Sequence, residues 1–185
     1  PLLEYATLRE YLKPNVKKVI WLYYEGNDLL GLKDKLSNEI LNSYLNDLTF
    51  TQGLKNKQSD IDELISNIIE EETKKITEIQ NKTKFYLFKN IVKLYYTREL
   101  IFNKKEPELI PEFKKILKLA RDLISKNNSK LYFVYLPEYK RYQDNYNYSN
   151  YFGIKKIIEE LDITMIDMHL EVFNKIQNPH VFFPF

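Results

Sequence analysis

Cysteine is absent from the 185 residues. That removes disulfides, zinc–thiolate sites and cysteine nucleophiles, and it leaves the redox compartment open. Glycine is scarce, at 4 residues, and no Gly-x-Gly-x-x-Gly or P-loop pattern occurs among them. A nucleotide-binding doubly wound domain is therefore disfavoured. An excess of one charge is lacking too: 28 Lys and Arg stand against 26 acids, a formal net charge of +2. The lysines interleave with Glu and Asp, which reads as solvated helix faces. A phosphate-binding surface needs clustered cations, so no nucleic-acid partner is expected. No apolar run approaches the roughly 18 residues of a membrane span, and the start carries no signal-peptide pattern. Asn, Lys, Ile and Tyr are abundant instead.

The ends are unusual. The chain starts at Pro1 and runs straight into "LLEYATLREYL"; it closes on the aromatic cluster "HVFFPF". Free termini are usually polar and frayed. The expectation is an internal piece of a longer protein. Localisation is left open, with the cell envelope or secretion following if a targeting segment lies upstream.

Periodicity divides the rest. Leu2, Tyr5, Ala6, Leu8 and Leu12 recur at helical spacing up to "KPN". Residues 16–24, "VKKVIWLYY", are short, β-branched and aromatic, and apolar on both faces over their second half, as in a central parallel strand. Residues 28–45 return to helical spacing. From 50 to 102 the character changes. Ile61, Leu64, Ile65, Ile68, Ile69, Ile76 and Ile79 form one stripe, and "YLFKNIVKLYYTRELIF" continues with a second helical pattern. This reads as an inserted helical hairpin; a dimerisation arm or a lid are the alternatives. A helix starts at Pro111 with Phe113, Ile116, Leu117, Ala120 and Leu123 inward, and Asn127-Asn128 stop it. A strand spans 131–136, followed by the aperiodic "YKRYQDNYNYSNYF". Then come a helix at "FGIKKIIEEL", a strand over 163–167 and a short helix at "LEVFNKIQ". Strands alternating with helices imply an α/β domain over 1–185, with a parallel sheet covered on both faces. Ligands then sit at the strand carboxyl ends: residues 25–28, 137–142 and 167–169.

The first of these ends reads Glu25-Gly26-Asn27-Asp28. Gly26 permits a tight turn or a close approach. Asp28 is placed to cap a helix beginning at Leu29. Asn27 has two readings from chemistry alone. It is either a turn residue with a local hydrogen bond, or a neutral donor aimed at a developing oxyanion. His169 reads as a structural or cap residue. His180 is a candidate base.

"VIWLYYEGNDL" resembles the block of the SGNH/GDSL hydrolases that carries their Asn, with Gly26, Asn27 and Asp28 matching it. "LYFVYLPEYKRY" and "IDMH…HVFFPF" resemble the later strands of such proteins. The resemblance runs over most of the chain outside 50–102. It implies a three-layer α/β/α flavodoxin-like fold with a helical insertion. It implies acyl hydrolysis or acyl transfer by a Ser nucleophile and a His base, on a small-molecule or carbohydrate ester, with no cofactor or metal. Asn27 would donate to the oxyanion, with Gly26 and Asp28 as its motif neighbours. The nucleophile block would precede Pro1 and the Asp-x-x-His block would follow Phe185. None of Ser37, Ser43, Ser59, Ser66, Ser125, Ser129 and Ser149 has the nucleophile's context, and "HVFFPF" does not match that of the family's His. The competing expectation is a non-catalytic α/β domain that forms homo-oligomers or other assemblies through the helical insert.

Overall fold

A computed structural model describes residues 1–80, 107–143, 146 and 149–183, with the side chains of 75–80, 149 and 180 outside the description. Two compact units are present: Pro1–Gln52 with Pro107–Phe185, and Gly53–Glu106. The elements in chain order are α1 (Leu2–Tyr11), β1 (Lys18–Tyr24), α2 (Leu32–Ser37), α3 (Glu39–Asn46) and α4 (Gln58–Gln80). They continue with α5 (Pro111–Lys126), β2 (Lys130–Leu136), α6 (Ser149–Glu160), β3 (Thr164–Asp167) and α7 (Met168–Glu171).

The three strands form one parallel sheet in the order β1-β2-β3, with Trp21 opposite Phe133 and Phe133 opposite Met165. The chain is therefore α/β. One sheet face carries the core. Tyr23 stacks on Phe133 and Tyr135, ring centroids 5.5 Å apart in each pair. Phe113 of α5 meets Tyr23 edge-on at 5.8 Å, and Tyr151 of α6 meets Tyr135 edge-on at 5.2 Å. Both crossover helices thus lie on the same face. Right-handed crossovers that advance the strand order in one direction leave no other choice.

The opposite face departs from expectation. Ile20 is 62% exposed, Leu22 60% and Ile166 38%. Among the described residues no helix covers them, and β1 is an edge strand while β2 is central. An apolar run on both faces predicts burial on both; here β1 is buried on one, through Trp21 and Tyr23.

Helix α5 holds the covered face. Pro111 opens it at a position where the missing N–H costs nothing. Phe113, Ile116, Leu117, Ala120 and Ile124 are buried. Ile124 joins the stripe, half-buried Leu123 packs against it, and Asn128 at φ 55 ends the helix in the left-handed region. The helix expected over 28–45 is two helices. Asn38 breaks it and caps α3 by accepting from the Leu41 N–H at 3.0 Å. Arg9 ties α1 to the turn after α3 by donating to the carbonyls of Tyr44, Asp47, Leu48 and Phe50 at 2.5–2.9 Å.

In the second unit a 3-10 turn, Leu54–Lys57, leads into α4. Leu64, Ile65, Ile68 and Ile69 are all exposed. The second helical pattern, over 86–102, lies outside the described residues. Among the described residues no helix is long and apolar enough to cross a membrane.

Candidate functional site

The sequence-predicted site lies on the turn that ends β1. The N–H of Glu25 still pairs with the Leu136 carbonyl of β2 at 2.9 Å. The N–H of Tyr24 points to the unpaired side of β1, and the Asp28 carboxylate accepts it at 2.8 Å. The Tyr24 carbonyl accepts from Asn27 N–H at 3.4 Å and Asp28 N–H at 3.2 Å. Asp28 therefore closes the strand edge and does not cap a helix at Leu29. Helix α2 begins at Leu32, behind Gly31 at φ 68. Burial pushes the Asp28 carboxyl above its ordinary range, and the Tyr24 bond offsets this in part.

Gly26 lies close against the end of the Tyr24 side chain. A Cβ at this position would lie 2.7 Å from Cε1 of the Tyr24 ring. Any larger residue has to push that ring aside. Asn27 is exposed, and its side-chain amide bonds no described residue. Its backbone is held at both ends, with the Asn27 carbonyl accepting from Leu30 N–H at 2.9 Å. The local side-chain hydrogen bond expected of a turn asparagine is not made to any described residue.

One residue before Gly26, the turn is anchored in the domain. Glu25 Oε2 accepts from Arg141 Nε at 2.8 Å and from the Glu138 backbone N–H at 3.1 Å. Arg141 Nη2 also donates to Glu25 Oε1, and to the Tyr135 hydroxyl at 2.9 Å. Arg141 is 3% exposed and Glu25's side chain 9%. The guanidinium carbon lies 4.8 Å from the Tyr151 ring centroid, 5.6 Å from Tyr135 and 5.7 Å from Tyr146. Burial opposes the charge on Arg141, but Glu25 and Tyr135 outweigh it and hold the guanidinium pKa above its ordinary value. Burial and the Glu25 carboxylate push the Tyr135 phenol up, so it stays a neutral hydroxyl. This pair joins the end of β1 to the loop after β2.

The end of β3 adds a second polar group. Buried Asp167 accepts from the Tyr151 hydroxyl at 2.5 Å and from the Leu170 N–H at 3.2 Å. Asp167 is thus the cap of α7, the role His169 was a candidate for. His169 Nδ1 instead lies 3.1 Å from the Tyr142 hydroxyl. Tyr142 stacks on Phe173 at 5.8 Å and contacts Phe183 at 6.0 Å. Part of the closing aromatic cluster is therefore docked on the loop after β2. The side chain of His180 lies outside the described residues.

His169 carries a sign that can be measured. Burial lowers its pKa below the ordinary 6.5, as does nearby Arg141, against the opposing fields of Asp167 and Glu25. The folded state therefore binds fewer protons here than the unfolded chain, whose His titrates near 6.5. Its share of the stability is full above that value and is lost as pH falls through the folded pKa. Between pH 7.5 and 5.5 the urea midpoint should fall, and His169→Gln should remove part of the fall. An equal fall in the variant contradicts the assignment.

The described serines lie in helices or ahead of β2. Ser37, Ser43 and Ser66 donate to carbonyls one turn back in their helices, and Ser129 donates to the Val16 carbonyl ahead of β2. Ser59 lies in α4 and Ser125 in α5. The side chain of Ser149 is outside the described residues. No group of three or more His, Asp or Glu among the described residues could hold a metal ion.

No family model, no curated protein and no solved structure matches the chain.

Proposed function

We propose that the chain is part of a serine acyl hydrolase or acyltransferase of the SGNH type, with Asn27 as a donor to the oxyanion. In this reading the sheet is part of a three-layer flavodoxin-like domain. The serine nucleophile and the histidine base come from outside the residues described here. The substrate class is a small-molecule or carbohydrate acyl ester.

The observation that carries the reading is the state of Asn27. Its amide is exposed and bonds no described residue. It stands on a turn closed by Asp28 and anchored, through Glu25, to Arg141. The turn fixes the Asn27 backbone, and an amide with no internal partner to give up is free to donate where negative charge develops. Position supports it as well: the carboxyl ends of parallel strands are where open α/β sheets bind ligands. The experiment is ester hydrolysis by the protein complete with its nucleophile. Asn27→Ala should lower kcat about a hundred-fold.

The exposed stripe on α4 favours a second reading, a non-catalytic domain associating through its helical arm. Contiguous apolar residues facing water mark interaction surfaces. Light scattering decides it: a monomer at all concentrations removes this reading, and a dimer lost on Ile65→Lys plus Ile68→Lys supports it.

A further inference from the structure

We infer that Tyr24 is a second hydrogen-bond donor to the bound ester, beside Asn27, and that Gly26 exists to let its ring lie there. The inference rests on the acyl reading above.

The first observation is the close approach at Gly26. A Cβ built there would meet Tyr24 Cε1 at 2.7 Å, Cζ at 2.9 Å and the hydroxyl oxygen at 3.0 Å. The hydroxyl end of the ring, and not only its body, therefore lies against the residue preceding Asn27. The second observation is that no described residue bonds the Tyr24 hydroxyl. The neighbouring phenols behave differently. Tyr151 donates to Asp167 at 2.5 Å and Tyr146 donates to Glu138 at 2.6 Å. Tyr24 stands apart from that network with its donor unspent.

Chemistry fits the role. Tyr24 is half-buried at the carboxyl end of β1. Burial and the carboxylates of Glu138 and Glu25 keep its phenol protonated, so it donates. Its backbone is fixed on both sides: Asp28 takes the N–H, while Asn27 and Asp28 share the carbonyl. Tyr24 and Asn27 are thus two neutral donors whose backbones share one hydrogen-bonded turn. Two neutral donors brought to one ester oxygen are what a developing negative charge there requires.

The test uses the protein complete with its nucleophile and p-nitrophenyl acetate as the probe. Tyr24→Phe keeps the ring and removes the donor. It should lower kcat about ten-fold, the worth of one neutral hydrogen bond made in the transition state. KM should stay within about two-fold and the thermal midpoint should not move. Gly26→Ala keeps the hydroxyl but displaces it, and should lower kcat in the same direction. Wild-type turnover that Tyr24→Phe leaves unchanged, while Asn27→Ala loses it, overturns the role of Tyr24 and spares the acyl reading. No turnover by the wild type overturns both.

Discussion

Replacing Arg141 by methionine should cost about 3–5 kcal/mol of folding stability, the typical cost of stripping one partner from a buried ion pair. The reason is geometric. Glu25 sits under the loop after β2 with its side chain 9% exposed, and Arg141 supplies bonds to both of its oxygens. With methionine in place, Glu25 keeps the Glu138 N–H and the Tyr135 hydroxyl among the described residues, but no cation. A carboxylate left there either stays charged in a poor solvent or takes up a proton, and both cost free energy. For a chain of this size the loss corresponds to a fall of roughly 6–20 °C in Tm. The pair itself need not be a net gain over apolar residues. Glu25→Gln combined with Arg141→Met should therefore cost less than the sum of the two single changes. A single-variant loss under about 1 kcal/mol, or strict additivity, would show that Arg141 does not hold Glu25.

The second large effect is catalytic. Removing one preorganised donor from an oxyanion site costs roughly 10²–10³ in kcat. Asn27 is the residue proposed for that role. Its backbone is pinned by hydrogen bonds to Tyr24 and Leu30, and its amide bonds no described residue. Its exposure sets the size of the effect: a site open to water screens the interaction, so the lower end, about a hundred-fold, is expected. Asn27→Asp should lose at least as much, since a carboxylate accepts but does not donate and repels the charge that forms. Neither change should move Tm appreciably, because no packing or internal side-chain bond to a described residue is lost.

Much of the architecture was legible in residues close together along the chain. The stripe Phe113, Ile116, Leu117 and Ala120 located α5, and "LYFVYL" and "ITMID" located β2 and β3 to within a residue. The turn at Gly26 and Asn27 was legible too, because glycine and asparagine advertise their backbone needs. What failed depended on neighbours. β1 reads as a central strand because Ile20 and Leu22 are apolar, yet in the described residues nothing packs over them. Asp28 reads as a helix cap by position, but its carboxylate is taken by Tyr24. The anchor of the site was not legible at all. Glu25 and Arg141 are 116 residues apart, and Arg141 sits in a Tyr- and Asn-rich stretch without periodicity. Pairing across such a distance leaves no local signature. Tyr24 was hidden for a related reason: at the end of an apolar run it reads as core, and only the contact with Gly26 sets it apart.

The most direct test of the account is the initial rate of p-nitrophenyl acetate hydrolysis by the complete protein, wild type against Asn27→Ala, with Tm recorded for both. Asn27→Ala should show a kcat lower by about a hundred-fold, KM within about two-fold and an unchanged Tm. A loss of only a few-fold removes Asn27 from the oxyanion site, and a wild type without ester turnover contradicts the acyl reading as a whole.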